Sequence, residues 1–580
     1  MKIALAGPSV LIADPSPQQK AAITSWGLAK WDRKLQMISG QCSIALLDKL
    51  ATICKLPPTA AACRSAMKLT EDAVDNERSR PTTSPKPSRY PVKADLYQHQ
   101  IRAANMAGLI FGWYGPWKRW TAEHGNSGRA PRGFGLLFDM GTGKTLTSIA
   151  IMGAGWAAGE VSRVLIVSPA SVSAVWPGEL ERYADFPFRA TVMQGTKAKR
   201  LRALRSLAEE TDEAVKVAVI NYESVWRDDI FDEIKEFRPD MIICDESQRI
   251  KSHKAEQSKA LHRLGDATPF KLILSGTPVQ NAAADLWSQY RFLDPSIFGT
   301  SFYTFRNRYC VMGGFNRHQI IKYKHLDELV RKEHSIAYRV TKEEALDLPE
   351  QIFETRHVVL PESEIQLYAR LKKESYLELE NSGSVTAPTV LTKLLRLQQF
   401  TGGFLTNDNG VVEKVSEAKL KALEDLITDS VLTNGHKLVI FARFVPEIKA
   451  IMDLANSLFA HTRFYSESIW GDVPQSDRGQ IVERFQADPD CVLFVGQIDT
   501  AGAGITLTAA DTCVYYSTNF NYASYSQSLS RIHRIGQNNR CLYIHLVVDN
   551  TIDQHVLTAL EKKQDLAHVV VDGWKQFFLQ

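Results

Sequence analysis

Short apolar runs bounded by polar turns recur at positions 135–138, 164–167, 217–220, 241–244 and 272–274, with helical spacing between them. Strands buried on both faces read as continuous apolar runs, so this series predicts a parallel sheet covered by helices on both sides. A second series at 437–441, 491–495, 512–516 and 542–547 predicts another sheet of the same kind. Between the two series the apolar spacing is helical, most clearly over 364–380 and 390–399. The expected fold is α/β: a first parallel-sheet domain over 91–294, a helical insertion with the start of the second domain over 295–419, and a second parallel-sheet domain over 420–580.

Ahead of these, 2–6 and 10–13 read as short strands and 17–28 and 43–54 as helices, which makes 1–74 a small α+β amino-terminal module. The next stretch, DNERSRPTTSPKPSR, is rich in proline, serine and charge and has almost nothing apolar to bury. It predicts a linker over 75–90.

Composition narrows the classes. The 580 residues are 44% hydrophobic and 23% charged, as in soluble folded proteins. Lysine and arginine exceed aspartate and glutamate by 69 − 65 = 4, so any contact with a polyanion must come from a localised groove and not from net charge. The eight cysteines contain no C-x-x-C pair, which points away from a zinc ribbon or a disulfide framework. No run reaches the roughly 18 apolar residues of a membrane span, and the apolar start of the chain is broken by Gly7-Pro8. The expectation is a monomer, cytoplasmic or nucleoid-associated, with no membrane partner.

The sharpest chemical signal is Asp139-Met-Gly-Thr-Gly-Lys144-Thr145, set between the strand 135–138 and a helix expected over 146–158. A glycine-rich turn there lets backbone amides converge on phosphate oxygens, Lys144 reaches the β- and γ-phosphates, and Thr145 offers a hydroxyl to Mg2+. The longer form of this pattern has glycine where Phe138 stands. The apolar run 241–244 then ends in Asp245-Glu246-Ser247-Gln248. Two carboxylates at the carboxyl end of a parallel strand lie where open α/β sheets bind ligands. Asp245 can hold Mg2+ through water, and Glu246 can orient and deprotonate an attacking water.

Read in order, Gln100, the Gly143-Lys144-Thr145 loop, Ser168-Pro-Ala-Ser171, Asn221-Tyr222-Glu223, Asp-Glu-Ser-Gln, the segment LSGTPVQN over 274–281, 500–511 and QSLSRIHRIGQ over 527–537 resemble the motif series of superfamily 2 helicases. SGTPVQN and RIHRIGQ, with Tyr338-Arg-Val-Thr-Lys342 ahead of Leu348-Pro349, resemble the SWI/SNF family of DNA translocases, from about Leu96 onward. The resemblance implies two RecA-like domains and an ATPase that moves on duplex or forked DNA. It implies that Gln100, Met140, Gly141, Thr142, Gly143, Lys144, Thr145 and Gly504 contact ATP, with Mg2+ at Thr145 and Asp245. It further implies that Arg531 and Arg534 reach the γ-phosphate from the second domain, and that Ser168, Ser171, Asn221, Tyr222, Thr277 and Thr500 grip the DNA backbone. Remodelling members usually have asparagine where Thr506 stands and histidine where Gln248 stands. The Ile-Thr-Leu-Thr form is more similar to the annealing-helicase branch, whose accessory modules make substrate recognition an expectation for 1–74.

Two other readings remain beside the translocase: a strand-separating helicase on DNA or RNA, and an ATP-gated clamp on nucleic acid or protein. With the last motor elements close to Gln580, no nucleosome-spacing module is expected. The aromatic run over 111–120 reads as core more readily than as a base-stacking surface. The basic clusters at 322–325 and 197–200 read as solvated faces more readily than as a groove.

Overall fold

The computed structural model describes residues 1–567 except 126–131, 277, 279–282, 314–318, 346–347, 382–386, 407–410, 502–504, 519–521 and 535. The chain forms two compact units: Met1–Asp139 with Gly143–Thr341 in the first, and Lys342 onward together with the short loop piece Met140–Thr142 in the second.

The first unit opens with an antiparallel sheet of β1 (Lys2–Ala6), β2 (Ser9–Ala13), β3 (Ala29–Asp32) and β4 (Met37–Gln41), in the order β1-β2-β4-β3. Alternation along the strands turns Val10, Ile12 and Ile38 inward, where they are fully buried. They pack in one cluster with Leu46, Leu47 and Leu50 of the helix Ile44–Ile53, with Cys63 and Met67 of the helix Pro58–Ser79, and with Trp117 and Trp120 of the helix Gly115–His124. The amino-terminal module thus shares its core with the rest of the unit.

The unit's main sheet holds β5 (Arg132–Phe138), β6 (Arg163–Ser168), β7 (Phe188–Val192), β8 (Val215–Asn221), β9 (Met241–Asp245) and β10 (Phe270–Leu274). After a hairpin of β11 (Cys310–Gly313) and β12 (Gln319–Tyr323), β13 (Ala337–Val340) completes it. The order is β13-β5-β10-β9-β6-β8-β7 and every pairing is parallel. The register sets Leu274 opposite both Leu136 and Asp245, and Ser168 opposite Asn221. The carboxyl ends of β5, β10, β9, β6 and β8 therefore share one rim, the side on which such sheets bind ligands.

The second unit is built on β14 (Gln351–Val358), followed by a small hairpin of β15 (Phe404–Thr406) and β16 (Val412–Lys414), and then by β17 (Leu438–Ala442), β18 (Tyr465–Ile469), β19 (Cys491–Gln497), β20 (Thr512–Tyr515) and β21 (Cys541–Val548). Its sheet runs β14-β21-β20-β17-β19-β18, again all parallel. Phe441, Phe494, Val514 and Ile544 lie in its core. Two parallel α/β sheets and a small α+β amino-terminal module are the architecture the apolar runs predict, and the structure adds that the module's sheet is antiparallel.

Two boundaries differ from the sequence expectation. The helix Pro58–Ser79 runs through the first five positions of the expected linker, and the remainder of that linker is pinned to the unit. Glu77 is fully buried, and its carboxylate accepts from the Thr83 hydroxyl and from Asn105 Nδ2, the latter at 2.7 Å. Asn105 Oδ1 in turn accepts from the Lys86 amide at 3.0 Å and the Tyr90 hydroxyl at 2.7 Å. Polar residues that lack a solvent partner here have each other. The segment 295–419 is likewise not a single insertion. Up to Thr341 it belongs to the first unit, because β13 pairs with β5, and from Lys342 it belongs to the second. No described helix is long and apolar enough to cross a membrane.

Candidate active site

β5 ends at Phe138, and the chain turns through 139–143 into the helix Lys144–Ala157. Gly141 and Gly143 have φ of +86° and +87°, a backbone that glycine enters without strain. A Cβ on Gly143 would also collide with the Gln100 amide. Gln100 is buried at the start of the helix Gln98–Phe111, donates from Nε2 to the Gly143 carbonyl at 3.3 Å and accepts from the Tyr97 amide at 2.8 Å. It is therefore placed behind the loop's last glycine. Met140, Gly141 and Thr142 form the middle of the turn, and Thr145 is half-buried in the helix's first turn. Lys144 Nζ donates to the Phe138 carbonyl at 2.9 Å and to that of Asp139 at 3.4 Å. Burial pulls its pKa down, against the charges of Glu246, Asp245 and Asp139, which hold it up.

The acid pair stands two strands away on the same rim. Asp245 closes β9, 8% exposed. Its Oδ2 accepts from Trp176 Nε1 at 3.3 Å, and its backbone carbonyl accepts from the Tyr222 hydroxyl at 2.8 Å. Burial and the neighbouring Glu246 charge push its pKa up to about 7, while Lys144 and Trp176 act the other way. Glu246 sits at φ +51°, outside the strand, with Oε2 accepting from Gln248 Nε2 at 2.6 Å. Gln248 Oε1 accepts from the Ser275 hydroxyl at 2.8 Å, which ties the acidic motif to the start of SGTPVQN.

In the second unit, Arg531 and Arg534 converge on one acceptor: both donate through Nη1 to the Ile505 carbonyl, at 3.1 and 3.3 Å. The Leu507 amide donates back to the Arg531 carbonyl at 2.9 Å. The segment carrying the arginines is thus fastened to the middle of the stretch 500–511, at Ile505 and Leu507. Gly504, expected beside them, lies outside the described residues.

The expected DNA-contacting residues divide. Ser171 is exposed, Asn221 is half-buried with Nδ2 donating to Glu223 at 2.8 Å, and Thr500 donates to Gln497 Oε1 at 2.9 Å. Two side chains correct the expectation. Ser168 is fully buried and shares a hydrogen bond with Ser173 at 2.9 Å. Tyr222 is 1% exposed, with its hydroxyl spent on the Asp245 carbonyl. Each hydroxyl, once excluded from water, is satisfied by an internal partner. Thr277 lies outside the described residues. The aromatic run is core: Phe111, Trp113, Trp117 and Trp120 are all buried. Of the basic clusters, Lys322, Lys324 and Lys199 are exposed, Lys197 pairs with Asp229, and Arg200 donates to the Gly195 carbonyl and Ser224.

Sequence reasoning missed Trp176 and treated Arg339 as a landmark only. Arg339 Nη2 donates to Asp139 Oδ1 at 2.6 Å. The signal for both is a polar or aromatic residue whose partner lies far along the chain, which no local pattern reveals.

A family model described as the SNF2-related domain matches residues 99–402, and one described as the helicase conserved C-terminal domain matches 418–536. The chain is similar to an uncharacterized ATP-dependent helicase of Mycoplasma genitalium, 26% identical over 436 residues, covering 74% of this chain and 40% of that protein. It is also similar to chromodomain-helicase-DNA-binding protein 1-like of Mus musculus, 27% identical over 452 residues, covering 75% of this chain and 47% of that protein. The chain therefore spans less than half the length of these relatives. Among solved structures, it is similar to the Sulfolobus solfataricus SWI2/SNF2 ATPase core in complex with dsDNA, at 24% identity, 83% coverage of this chain, 94% of that one, and a TM-score of 0.37. With the first family model covering more than half of the residues and the second most of the remaining carboxyl-terminal part, the chain belongs to the SNF2-related family of helicase-like ATPases.

Proposed function

We propose that this chain couples ATP hydrolysis to movement along duplex or branched DNA. The observation that supports it most is the electrostatic set on one rim of the first sheet, where Asp245 and Glu246 hold up the charge on Lys144 while Lys144 offsets that of Asp245. A half-buried ammonium held on the Phe138 and Asp139 carbonyls at a glycine turn, within the field of two carboxylates on the same rim, suits a triphosphate better than it suits a structural ion pair.

In this reading the amides of 140–145 and the Lys144 ammonium hold the β- and γ-phosphates. Asp245, whose charge burial and Glu246 disfavour, and the Thr145 hydroxyl are the residues that would hold a divalent cation. A carboxylate and a hydroxyl, hard oxygen donors few in number, suit Mg2+. A divalent cation held by these residues would supply charge neutralisation for the transferring phosphoryl group. Glu246 accepts the proton of the attacking water while Gln248 fixes its carboxylate. Arg531 and Arg534 supply the positive charge that the transition state requires. Ser171, Asn221 and Thr500, with backbone amides near them, are the proposed grip on DNA phosphates.

Steady-state ATP hydrolysis tests this, with no nucleic acid, single-stranded DNA, duplex DNA, forked DNA or RNA, and with Lys144→Ala as the blank. Strong stimulation by duplex or forked DNA is expected. Stimulation by RNA alone would replace the reading with an RNA helicase, and a rate indifferent to every nucleic acid would replace it with a protein-directed switch.

A further inference from the structure

Two anchors lie three residues apart in the chain, one in each unit. In the first unit Arg339, on β13, is 5% exposed. It donates to Asp139 Oδ1 at 2.6 Å through Nη2, and to the carbonyls of Leu137 and Val340 at 2.9 and 3.1 Å through Nη1. The Asp139 amide donates to the Val340 carbonyl at 2.9 Å. Arg339 and the β13 backbone therefore hold both sides of the residue that opens the phosphate loop, next to the carbonyls that receive Lys144. In the second unit Lys342 is 9% exposed, and its Nζ donates to Ser530 Oγ at 3.0 Å and to the His533 carbonyl at 2.8 Å. Those two residues bracket Arg531 and adjoin Arg534. His533 is held in turn, with Nε2 against the Pro349 carbonyl at 2.8 Å.

We infer that 339–342 is a strap coupling Asp139, where the nucleotide loop leaves the first unit, to the arginine segment of the second, with Arg339 and Lys342 as its two positioning residues. Three residues of chain span at most about 11 Å. Neither anchored segment can move far without carrying the strap or breaking an anchor. Each anchor is a buried cation, and releasing one partner leaves charge without compensation, so the anchors favour moving as units over letting go. The roles of Lys144 and of the arginines in this inference rest on the motor reading above. The strap itself rests on the two sets of hydrogen bonds.

The test uses the full chain with Arg339→Gln, Arg339→Lys, Lys342→Gln and Lys342→Arg. Affinity for a fluorescent N-methylanthraniloyl-ADP, kcat for ATP with duplex DNA, and hydrogen exchange over 505–507 and 530–537 are read together. Arg339→Gln is expected to weaken the ADP analogue about ten-fold. Arg339→Lys is not expected to restore it, because an ammonium lacks the planar fork that serves a carboxylate and two carbonyls at once. Lys342→Gln is expected to leave the analogue's affinity unchanged, to lower kcat about ten-fold and to speed exchange at Leu507. Lys342→Arg, which keeps the charge, should recover part of kcat. Parental values in every readout would overturn the strap, and so would equal losses of affinity and kcat from both sites together with a fall in melting temperature. If the parent binds the analogue but no nucleic acid stimulates its ATP hydrolysis, the motor reading fails. The affinity of the Arg339 variants and the exchange in the Lys342 variants then still decide the strap.

Discussion

Gln248 Nε2 donates to Glu246 Oε2 at 2.6 Å. The other end of the same carboxamide accepts the Ser275 hydroxyl at 2.8 Å, so Gln248 is used at both ends and is 6% exposed. Glu246 stands at φ +51°, where few residues other than glycine settle, and Gln248 fixes the side chain once it is there. Gln248→Ala is expected to lower kcat for ATP by about ten-fold or more while leaving nucleotide affinity near parental, since the contacts of Lys144 are untouched. Gln248→His should keep most of the rate, because a neutral imidazole can donate from one nitrogen and accept at the other. Hydrolysis measured beside nucleotide binding checks both. A parental rate in Gln248→Ala would mean that Glu246 is oriented without it.

Glu447 gives a pH dependence. It is 1% exposed at the start of the helix Val445–Phe459, and its Oε2 accepts from the amides of Arg443 and Phe444 at 3.2 and 3.1 Å and from the Ser517 hydroxyl at 2.5 Å. Burial pushes its pKa up from 4.5 to about 7 in spite of those donors and of Lys419. The folded state therefore binds this proton more tightly than the unfolded chain does. Its contribution favours folding at low pH and is lost as pH rises from about 4.5 through about 7. A shift of this size is worth on the order of 3 kcal/mol. Glu447→Gln should remove that slope, so the parent's melting temperature should fall relative to the variant's between about pH 5 and about pH 8. Parallel melting curves for the two proteins across that range would show that the carboxylate stays charged.

Asn105 holds the segment that composition marks as a linker. Its Nδ2 donates to Glu77 Oε1 at 2.7 Å, Thr83 Oγ1 at 3.0 Å and the Ser84 carbonyl at 2.9 Å. Asn105→Ala would strip a buried carboxylate of a donor and leave the Lys86 amide and the Tyr90 hydroxyl without their acceptor. The cost expected is about 3 kcal/mol, as for a buried network broken at one member. Chemical denaturation reads the loss, and limited proteolysis should show new cleavage within 80–90. An unchanged midpoint would return the segment to the status of a tether.

What could be read from the chain divides by position in the sheets. The nine apolar runs correspond to the interior strands, β5, β6, β8, β9 and β10 in one sheet and β17, β19, β20 and β21 in the other. The strands with no such signal, β7, β13, β14 and β18, are the four sheet edges. An edge strand has one strand neighbour and carries polar residues, as Tyr465-Ser-Glu-Ser-Ile469 does in β18, so its apolar run is broken. Missing β13 also hid the boundary at Thr341 and the place of Arg339 against Asp139. The loop glycines and the acid pair were legible because their chemistry is local. Trp176, Arg339 and Lys342 were not, because each partner is far along the chain. Ser168 and Tyr222 misled because a hydroxyl at a strand end looks the same in sequence whether it faces solvent or the interior.

Trp117 and Trp120 bear on whether the amino-terminal module is separable. Their rings stack with centroids 4.9 Å apart, and they are 1% and 5% exposed. They share one buried cluster with Val10, Ile12, Leu46, Leu50 and Cys63. The Arg132 guanidinium, at the head of β5, lies 5.3 Å from the Trp117 ring. Removing 1–74 would uncover two indoles, each burying roughly 150–250 Å². At roughly 25 cal/mol per Å², that exposes several kcal/mol of apolar surface beside the strand that leads into the phosphate loop. The 75–580 chain is therefore expected to bind a hydrophobic dye, to self-associate and to melt well below the full chain. Replacing both tryptophans with serine in the shortened chain should restore solubility and leave the lowered melting temperature in place, because the cover is gone but the sticky surface with it. A shortened chain that stays monomeric, melts with the parent and hydrolyses ATP at the parental rate would show that the module is an appendage, and its shared core would then be incidental to the motor.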